Sequence, residues 1–197
     1  MRKLGSRRKE EKKQKRKQLI VGLVLTSILF VSIFGYALGR GRNSENKENK
    51  VIYNGYEFVE RNGFWFTEIG NFEFSFRYNP NEIKQIDSNL NFLESYSGKP
   101  LYISSDDIES ESEIYRNLKY QNSIIQRMQV ACLEGEECIN DELVNKTCAD
   151  NFIIIRESNT TEVTQEDNCV FIKGKAEELT KITDGFLLKI IGVDWVQ

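Results

Sequence analysis

Four cysteines are the residues of this 197-residue chain whose type and spacing point most directly to a chemistry. They lie within 38 residues of one another: Cys132, Cys138, Cys148 and Cys169. An even number of closely spaced cysteines in an exported domain indicates two disulfides, for which three connectivities are possible. We expect Cys132–Cys138, which would close a short acidic loop, together with Cys148–Cys169, which would tie two predicted strands to their surroundings. The spacing alone does not exclude the other two connectivities.

Two functional alternatives remain open for the same cysteines. Four thiolates could hold zinc, but the gaps of five, nine and twenty residues contain no Cys-x-x-Cys element of the kind that structural zinc sites use. A redox-active pair usually occupies such an element at the start of a helix. Two structural disulfides are therefore the favoured interpretation, and no metal ligand is predicted.

The chain contains no histidine, which excludes more chemistry than any other feature of its composition. Ser-His-Asp and Cys-His catalysis, histidine-ligated zinc and the usual proton shuttle at neutral pH are ruled out. The acidic run Asp106, Asp107, Glu109 and Glu111 falls where a helix is predicted to begin, which favours a solvated N-terminus over a hydrolytic carboxylate pair. We predict no catalytic residue and no cofactor, and a non-enzymatic role is favoured over an enzyme.

Two Asn-x-Thr sequons begin at Asn145 and Asn159, both in predicted loops. Short motifs of this kind also occur by chance, especially in a chain rich in asparagine. Their positions agree with an exported domain, so we predict both asparagines as glycosylation candidates.

The formal net charge of −3 hides a strong segregation of charge along the chain. Residues 1–18 hold ten basic and two acidic side chains, residues 19–38 hold none, and residues 39–197 hold 17 basic and 28 acidic ones. The basic arm could attract nucleic acid, but it has no aromatic residue for base stacking and lies against an apolar segment. Attraction to anionic lipid headgroups explains the arm, and we do not expect nucleic acid as a partner.

The uncharged segment 19–38 has the length and composition of a transmembrane helix. Twenty residues at about 1.5 Å each span roughly 30 Å, the thickness of the hydrocarbon core of a bilayer. The basic excess before it predicts a cytoplasmic N-terminus and a C-terminal domain outside the cell membrane. A cleaved signal peptide is the alternative, because Ala37 and Gly39 have the spacing of a cleavage site. We favour an uncleaved, single-pass signal-anchor because the apolar run exceeds the usual about 7–15 residues.

After a polar linker at 39–50, residues 51–197 are long enough for one domain with its own core. The domain begins with the pattern of an antiparallel β-meander. Strands are predicted at 51–59 and 64–69, joined by an Asn62-Gly63 hairpin turn, and are followed by the alternating aromatic residues Phe72, Phe74, Phe76 and Tyr78. Asn79 then caps a short helix that begins at Pro80 and runs through Ile86.

The remaining pattern predicts a central helix, a C-terminal β-hairpin and a C-terminal helix. Ser110 and Glu113 form a capping box for the central helix, whose apolar positions are Ile114, Leu118, Ile125 and Met128. Strands at 152–156 and 170–173 bracket a polar turn, as in a hairpin. The last helix carries the apolar face Leu179, Ile182, Phe186 and Ile190 and ends near Gly192. The predicted fold class is therefore α+β, after one N-terminal transmembrane helix.

Motifs spread over most of the chain carry a family resemblance: segments 53–58, 64–69, 74–80, 147–155, 168–172 and 184–192. Together they resemble a group of single-pass, membrane-anchored proteins of small-genome archaea. The resemblance implies an exported archaeal domain, in which Cys148 and Cys169 recur as a pair. The group has no known activity that could be carried over to this chain.

The order of strand, helix, hairpin and helix is also similar to that of thioredoxin-like folds, although Asp150-Asn151-Phe152 stands where such folds have a cis-proline. We expect a membrane-tethered, disulfide-stabilised extracytoplasmic domain that has a structural role or binds a protein or envelope partner. The alternative is a membrane-tethered, thioredoxin-like thiol-disulfide redox factor that uses the cysteines.

Overall fold

The computed structural model describes residues 15–30, 49–136, 138, 140 and 142–193, and the chain divides between Lys47 and Glu48 into two units. In the first unit, residues 15–30 form helix α1, whose side chains are exposed. Within these described ranges, no helix has both the length and the apolar character that crossing a membrane requires. The predicted basic arm up to residue 14, the predicted span from residue 31 and the linker up to residue 48 lie outside the described residues.

The second unit begins with an antiparallel meander of four strands in chain order: β1 (Lys50–Tyr53), β2 (Tyr56–Arg61), β3 (Phe64–Ile69) and β4 (Phe72–Phe76). Asn54-Gly55 and Asn62-Gly63 have positive φ angles of 48°, 85°, 53° and 78°, the conformation that tight two-residue hairpin turns require. The predicted meander is confirmed. The single strand predicted at 51–59 is wrong, because Asn54-Gly55 divides it into β1 and β2.

Seven further strands follow: β5 (Pro100–Ser105), β6 (Arg127–Val130), β7 (Cys132–Leu133), β8 (Asn145–Lys146), β9 (Phe152–Glu157), β10 (Glu162–Glu166) and β11 (Cys169–Gly174). Five of them form a second sheet in the order β10-β11-β9-β5-β6, and β7 and β8 form a small parallel pair. Only β10 is antiparallel to its neighbour in the five-stranded sheet. The central strand β9 is apolar and buried from Phe152 to Ile155, as strands covered on both faces are.

The predicted C-terminal hairpin between 152–156 and 170–173 is wrong. β9 and β11 are parallel neighbours, and the hairpin is formed by β10 and β11, which pair from Glu166 opposite Cys169 to Glu162 opposite Lys173. β10 has a polar, alternating sequence with one buried apolar side chain, Val163, so it resembles a loop when burial is unknown. After β9 the chain forms the edge strand β10 and then returns as β11, which lies between β9 and β10.

Two helices cover one face of the five-stranded sheet: α2 (Ile108–Tyr115), which continues as one π-helical segment at Arg116–Tyr120, and α3 (Leu179–Ile190). Asp107, rather than Ser110, is the N-cap of α2; its carboxylate accepts a hydrogen bond from the Ser110 N–H at 2.9 Å. The predicted extension of the central helix to Met128 is wrong, because Met128 lies in β6. The predicted C-terminal helix is confirmed, and Gly192 ends it with φ of 83°.

Three single turns of 3₁₀-helix complete the described part of the unit: Pro80–Glu82, Leu93–Ser95 and Ala176–Glu178. Asn79 caps the first of them as predicted, because its side chain accepts a hydrogen bond from the Asn81 N–H at 3.0 Å. The helical segment ends at Glu82, four residues before the predicted end, since Ile83 has an extended backbone.

The main hydrophobic core lies between the meander, the two helices and one face of the five-stranded sheet. It contains Phe58, Phe74 and Phe76 from the meander, all with no exposed surface, together with apolar side chains of α2 and α3. A smaller cluster around Tyr102 and Phe152 occupies the opposite face of the sheet. The observed second unit is therefore an α+β domain with a core on each face of its larger sheet.

Candidate functional site

A crevice opens at the carboxyl ends of β5 and β9, with a cavity of about 330 Å³. The chain leaves β5 toward β6 on one side, through α2, and leaves β9 toward β10 and β11 on the other. In open sheets with parallel strands, this divergence leaves a gap in which ligands commonly bind. The crevice is the place in the described domain where topology alone predicts a site.

Arg156, which follows the buried apolar run of β9, is the central charged group of this crevice. Its guanidinium donates to the Ser104 carbonyl oxygen at 3.0 Å, to the Ser104 hydroxyl at 2.8 Å and to the Glu136 carboxylate at 2.6 Å. Asp106 lies 3.7 Å from the same guanidinium. These partners engage both terminal nitrogens of Arg156, and two of them are carboxylates that balance its charge.

The disulfide Cys132–Cys138 lines the crevice, and Cys148–Cys169 joins the segment before β9 to the start of β11 on the reverse face of the sheet. This is the predicted pairing. Cys132 is buried, whereas Cys138 is half-buried. Glu136 and Glu111 also line or border the crevice, and carboxylates near a sulfur oppose the formation of a thiolate.

The acidic run at the start of α2 is dispersed over several structural roles rather than gathered into one site. Asp107 caps the helix and also accepts a hydrogen bond from the Thr180 hydroxyl at 3.1 Å. Asp106 accepts a hydrogen bond from the Glu157 N–H at 3.1 Å, Glu109 pairs with Arg77, and Glu111 faces the crevice. Among the described residues, no group of three or more acidic or sulfur side chains could hold a metal ion.

Tyr102, on the reverse face of β5, lies between two cations. Arg127 donates to its hydroxyl at 3.2 Å, and the Lys146 Nζ lies 4.3 Å from the centre of its ring. The hydrogen bond from Arg127 and the closeness of Lys146 lower the pKa of the Tyr102 phenol. Asp150 lies 3.4 Å from Lys146 and balances part of this positive charge. The arrangement attaches β8 to the larger sheet through one aromatic side chain.

A buried polar network connects α2, α3 and the end of β4. Glu113, whose side chain has no exposed surface, receives two hydrogen bonds from Arg116 at 2.8 and 3.0 Å. Asp184, which is fully buried, accepts a hydrogen bond from the Tyr78 N–H at 3.0 Å through one carboxylate oxygen. Burial raises the pKa of Asp184 well above its ordinary value, and the negative charge of Glu113 adds to the rise.

An exposed apolar surface lies along α2 and the outer edge of β6. We call it the α2–β6 surface and define it by five residues: Ile108, Tyr115, Tyr120, Met128 and Val130. Ile108 and Tyr120 are 77% and 75% exposed and Tyr115 and Val130 are each 45% exposed, whereas Met128 is half-buried against the core. A cavity of about 510 Å³ runs between α2 and Met128, and Glu111 borders both this cavity and the crevice.

Both sequon asparagines, Asn145 in β8 and Asn159 in the turn after β9, are exposed. Sequence reasoning singled these out but missed Arg156, Asp184 and the α2–β6 surface. In the sequence, Arg156 could have been recognised as the one basic residue that directly follows four consecutive apolar residues of a strand. The signal for Asp184 was one acid inside the apolar C-terminal helix.

No known protein-family model matches this chain, and neither the curated proteins nor the solved structures include a match. The resemblance to membrane-anchored archaeal proteins therefore remains a prediction. What the geometry provides is a disulfide-stabilised α+β domain with a charge-balanced crevice, a buried acidic network and an exposed apolar surface beside a sheet edge.

Proposed function

We propose that the chain is a single-pass membrane protein whose domain at 51–197 lies outside the cytoplasm and binds a polypeptide partner at the α2–β6 surface. The observation that carries the binding function is the exposure of four large side chains, Ile108, Tyr115, Tyr120 and Val130, on α2, on the segment after it and on the outer strand β6. Contiguous apolar surface next to a sheet edge is unfavourable in water and typical of interaction sites.

The membrane anchor is supported by the amino-acid sequence. Segment 19–38 is uncharged and long enough to cross a bilayer as a helix, and ten basic residues precede it. Export of the domain is supported by its disulfides, which join all four cysteines, because disulfides persist in oxidising compartments. The lipid bilayer is then the partner of the span and of the basic arm.

The chemistry of β6 favours a partner in extended conformation. An edge strand offers backbone N–H and C=O groups to an incoming strand, and flanking apolar side chains select what that strand carries. Ile108, Tyr115 and Tyr120 stand beside the edge and would pack on apolar side chains of the partner. A binding domain of this kind needs no catalytic group.

Site-specific crosslinking in membranes tests this function. A photoreactive residue at Ile108 or Tyr120 should capture a polypeptide at a defined mass, whereas the same residue at Glu94, exposed outside this surface, should not. Capture must also be lost when Val130→Lys places a charge at the edge. Equal capture from all three positions, or capture insensitive to Val130→Lys, would exclude the surface as the binding site.

Thiol-disulfide exchange is a second candidate function, favoured by the position of Cys132–Cys138 in the crevice. A thiolate of a partner dithiol would attack the Cys138 sulfur, form a mixed disulfide and release Cys132 as a thiolate that takes up a proton. The second partner thiol would then attack the mixed disulfide and release Cys138, which takes up the second proton, so that the partner is oxidised and this chain is reduced.

The redox candidate is tested by trapping thiols with iodoacetamide after brief exposure of the native protein to dithiothreitol. An active pair would be alkylated at Cys132 and Cys138 well before Cys148 and Cys169, which provide the internal control. Equal resistance of both disulfides until the protein unfolds would show that the crevice disulfide is structural.

A further inference from the structure

We propose that β1, the first strand of the meander, pairs with β1 of a second copy of this chain in an antiparallel arrangement. The two four-stranded meanders would then form one continuous antiparallel sheet of eight strands. The contact uses no residue of the α2–β6 surface. It rests on the proposed function only through the membrane anchor, which raises the local concentration of the copies.

The backbone of β1 presents open hydrogen-bonding groups at two positions. The Glu60 N–H donates to the Asn49 carbonyl oxygen at 2.8 Å, so these residues form a hydrogen-bonded pair at the start of the β1–β2 ladder. Hydrogen-bonded and non-hydrogen-bonded pairs alternate along such a ladder, so the backbone groups of Lys50 and Ile52 point away from β2. Within the described part of the chain, no hydrogen bond reaches these outward groups.

Ile52 makes this open edge apolar on the outer face of the meander. Its neighbour Val51 lies opposite the buried Phe58 and packs against the main core. Successive side chains of a strand point to opposite faces, so Ile52 points away from the core, and it is 75% exposed. An open backbone edge beside an exposed apolar side chain is a template for strand pairing.

Other sheet edges of the domain are covered by the chain itself. The carboxamides of Asn117 and Asn122 hydrogen-bond to the backbone of β4, the opposite edge of the meander. Ser88 and Asn91 hydrogen-bond to β10 at one edge of the five-stranded sheet. The contrast between these covered edges and β1 points to β1 as an edge that another chain covers.

One symmetric register uses all the outward groups of β1. With Val51 opposite Val51 of the second copy, Lys50 lies opposite Ile52 in both directions, and these two pairs exchange four backbone hydrogen bonds. A register centred on Lys50 would place like charges opposite each other. A register centred on Ile52 would require Asn54 to continue the strand, but its φ of 48° belongs to the hairpin turn.

The side chains of β1 are complementary to a second copy in this register. Lys50 of the second copy would lie beside Ile52, and its aliphatic stem would cover part of the exposed isoleucine. Glu57 lies opposite Ile52 on β2, so the lysine ammonium group would point toward a carboxylate. The same two residue types already form an ion pair within one chain, where the Lys50 Nζ lies 3.1 Å from the Glu57 carboxylate.

The proposed anchor favours association of copies over capture of a soluble chain. β1 begins at Lys50, and the proposed membrane span ends at residue 38. Copies anchored in one bilayer meet at a higher effective concentration than free chains do. A contact of four backbone hydrogen bonds and a few side chains then holds two copies together.

Oxidative crosslinking of the full chain in membranes tests the register. Residues directly opposite in a non-hydrogen-bonded antiparallel pair have Cα atoms about 4.5 Å apart, within the reach of a disulfide. Val51→Cys should therefore form a covalent dimer on mild oxidation. Val59→Cys, also half-buried but on the interior strand β2, is the matched control and should stay monomeric, with both native disulfides verified by mass spectrometry.

A backbone variant tests the hydrogen bonds. Ile52→Pro removes one outward N–H and leaves the β1–β2 hydrogen bonds intact, since proline is tolerated where the N–H of an edge strand faces outward. Loss of two intermolecular hydrogen bonds per dimer should raise the dissociation constant in detergent roughly thirtyfold. Ile52→Thr keeps the N–H and the branched shape and should retain the dimer; circular dichroism and melting temperature verify folding of both variants.

The outcomes are distinct from those that test the binding function. A covalent dimer from Val51→Cys but not from Val59→Cys, together with weaker association of Ile52→Pro, supports the paired β1 strands. Absence of the Val51→Cys crosslink, equal crosslinking from both positions, or association that a folded Ile52→Pro variant leaves unchanged overturns them. If Ile52→Pro does not fold, the pair of cysteine variants decides. Capture of a polypeptide at Ile108 or Tyr120 is measured separately, so the failure of either proposal leaves the other standing.

Discussion

The side chain of Asn117 binds the backbone of Ser75 as an additional β-strand would. Its carbonyl oxygen accepts from the Ser75 N–H at 2.8 Å, and its amide nitrogen donates to the Ser75 carbonyl oxygen at 2.8 Å. Asn122 repeats the pattern on Glu73, with bonds of 3.2 and 2.8 Å. Two carboxamides from the π-helical segment and the turn after it thus close the free edge of β4, which an unpaired strand would otherwise offer to other chains.

We expect Asn117→Ala to destabilise the domain by about 3 kcal/mol, because it leaves a buried N–H and a buried C=O of Ser75 without partners. Asn117 also donates to the Glu113 carbonyl oxygen at 3.0 Å, a bond that the substitution removes as well. Urea unfolding followed by circular dichroism measures the loss.

Asn122→Ala is the matched control for this substitution. Asn122 is half-buried, so water can replace its bonds to Glu73, and we expect a loss of only about 1 kcal/mol. Equal losses for the two variants would contradict the interpretation that burial of the Asn117–Ser75 pair determines the cost.

The raised pKa of Asp184 predicts that this carboxyl contributes more to the stability of the domain in mild acid than at neutral pH. The folded state binds a proton at Asp184 more tightly than the unfolded state does, so this contribution is fully present below the ordinary carboxyl pKa of 3.8. It is lost as the pH rises through the raised pKa of the folded state. Burial also raises the pKa of Glu113, which acts in the same direction despite the opposing charge of Arg116.

The difference between the wild type and Asp184→Asn isolates this effect. Asparagine is neutral at every pH and keeps an acceptor for the Tyr78 N–H, so the variant should gain stability over the wild type as the pH rises from 4 to 8. Melting temperatures at intervals across this range test the trend. A constant difference between the two proteins would exclude a proton-linked contribution from Asp184.

Removal of the two disulfides should have unequal effects. Cys148–Cys169 closes a loop of 21 residues and Cys132–Cys138 a loop of six. The loop-closure entropy of the unfolded chain predicts that the free energy of unfolding falls by about 3 kcal/mol in the double variant Cys148→Ala, Cys169→Ala. For the double variant Cys132→Ala, Cys138→Ala it predicts a fall of about 2 kcal/mol. Guanidinium unfolding of both double variants provides the comparison, and the reverse order would contradict the loop-length argument.

Gly185 allows the segment that follows the first 3₁₀ turn to approach α3 closely. A Cβ atom at this position would lie 3.0 Å from the Ile83 side chain and 3.3 Å from the Ile86 side chain. We expect Gly185→Val to cost roughly 2–3 kcal/mol in unfolding free energy through this crowding. Lys181→Val, at a half-buried position of the same helix, measures the separate cost of a branched residue and should lose less than about 1 kcal/mol.

Local signals in the sequence were sufficient for the meander, whereas the observed disulfide pairing was one of three connectivities that the spacing left open. Asn62-Gly63 has one favoured turn geometry, and the alternating aromatic residues that follow it place Phe74 and Phe76 in the core. The same signal was overlooked at Asn54-Gly55, where the flanking residues continue the strand pattern without interruption. The central helix was extended too far because Ile125 and Met128 are buried or half-buried for a different reason, in the loop and strand after it.

The larger sheet could not be predicted in the same way, because its pairings are distant in sequence. Tyr102 of β5 lies opposite Phe152 of β9, fifty residues later, and no local pattern specifies that contact. Arg156 and Asp184 were missed for the same reason, because each is a single charged residue whose partner, Ser104 or Tyr78, is distant in sequence. The α2–β6 surface was missed because exposure of an apolar side chain is a property of the assembled sheet.

The disulfide Cys148–Cys169 has a consequence for how the sheet acquires its alignment. Cys169 lies opposite Phe152 in the β9–β11 pair, and the Asn168 N–H donates to the Cys148 carbonyl oxygen at 3.2 Å. A slip of one residue would turn every side chain of β9 to the wrong face. The disulfide ties the first residue of β11 covalently to Cys148, four residues before β9, and so restrains the two strands close to the point where their pairing begins. Oxidation of the two thiols therefore adds a covalent restraint to an alignment that the buried side chains of β9 also favour.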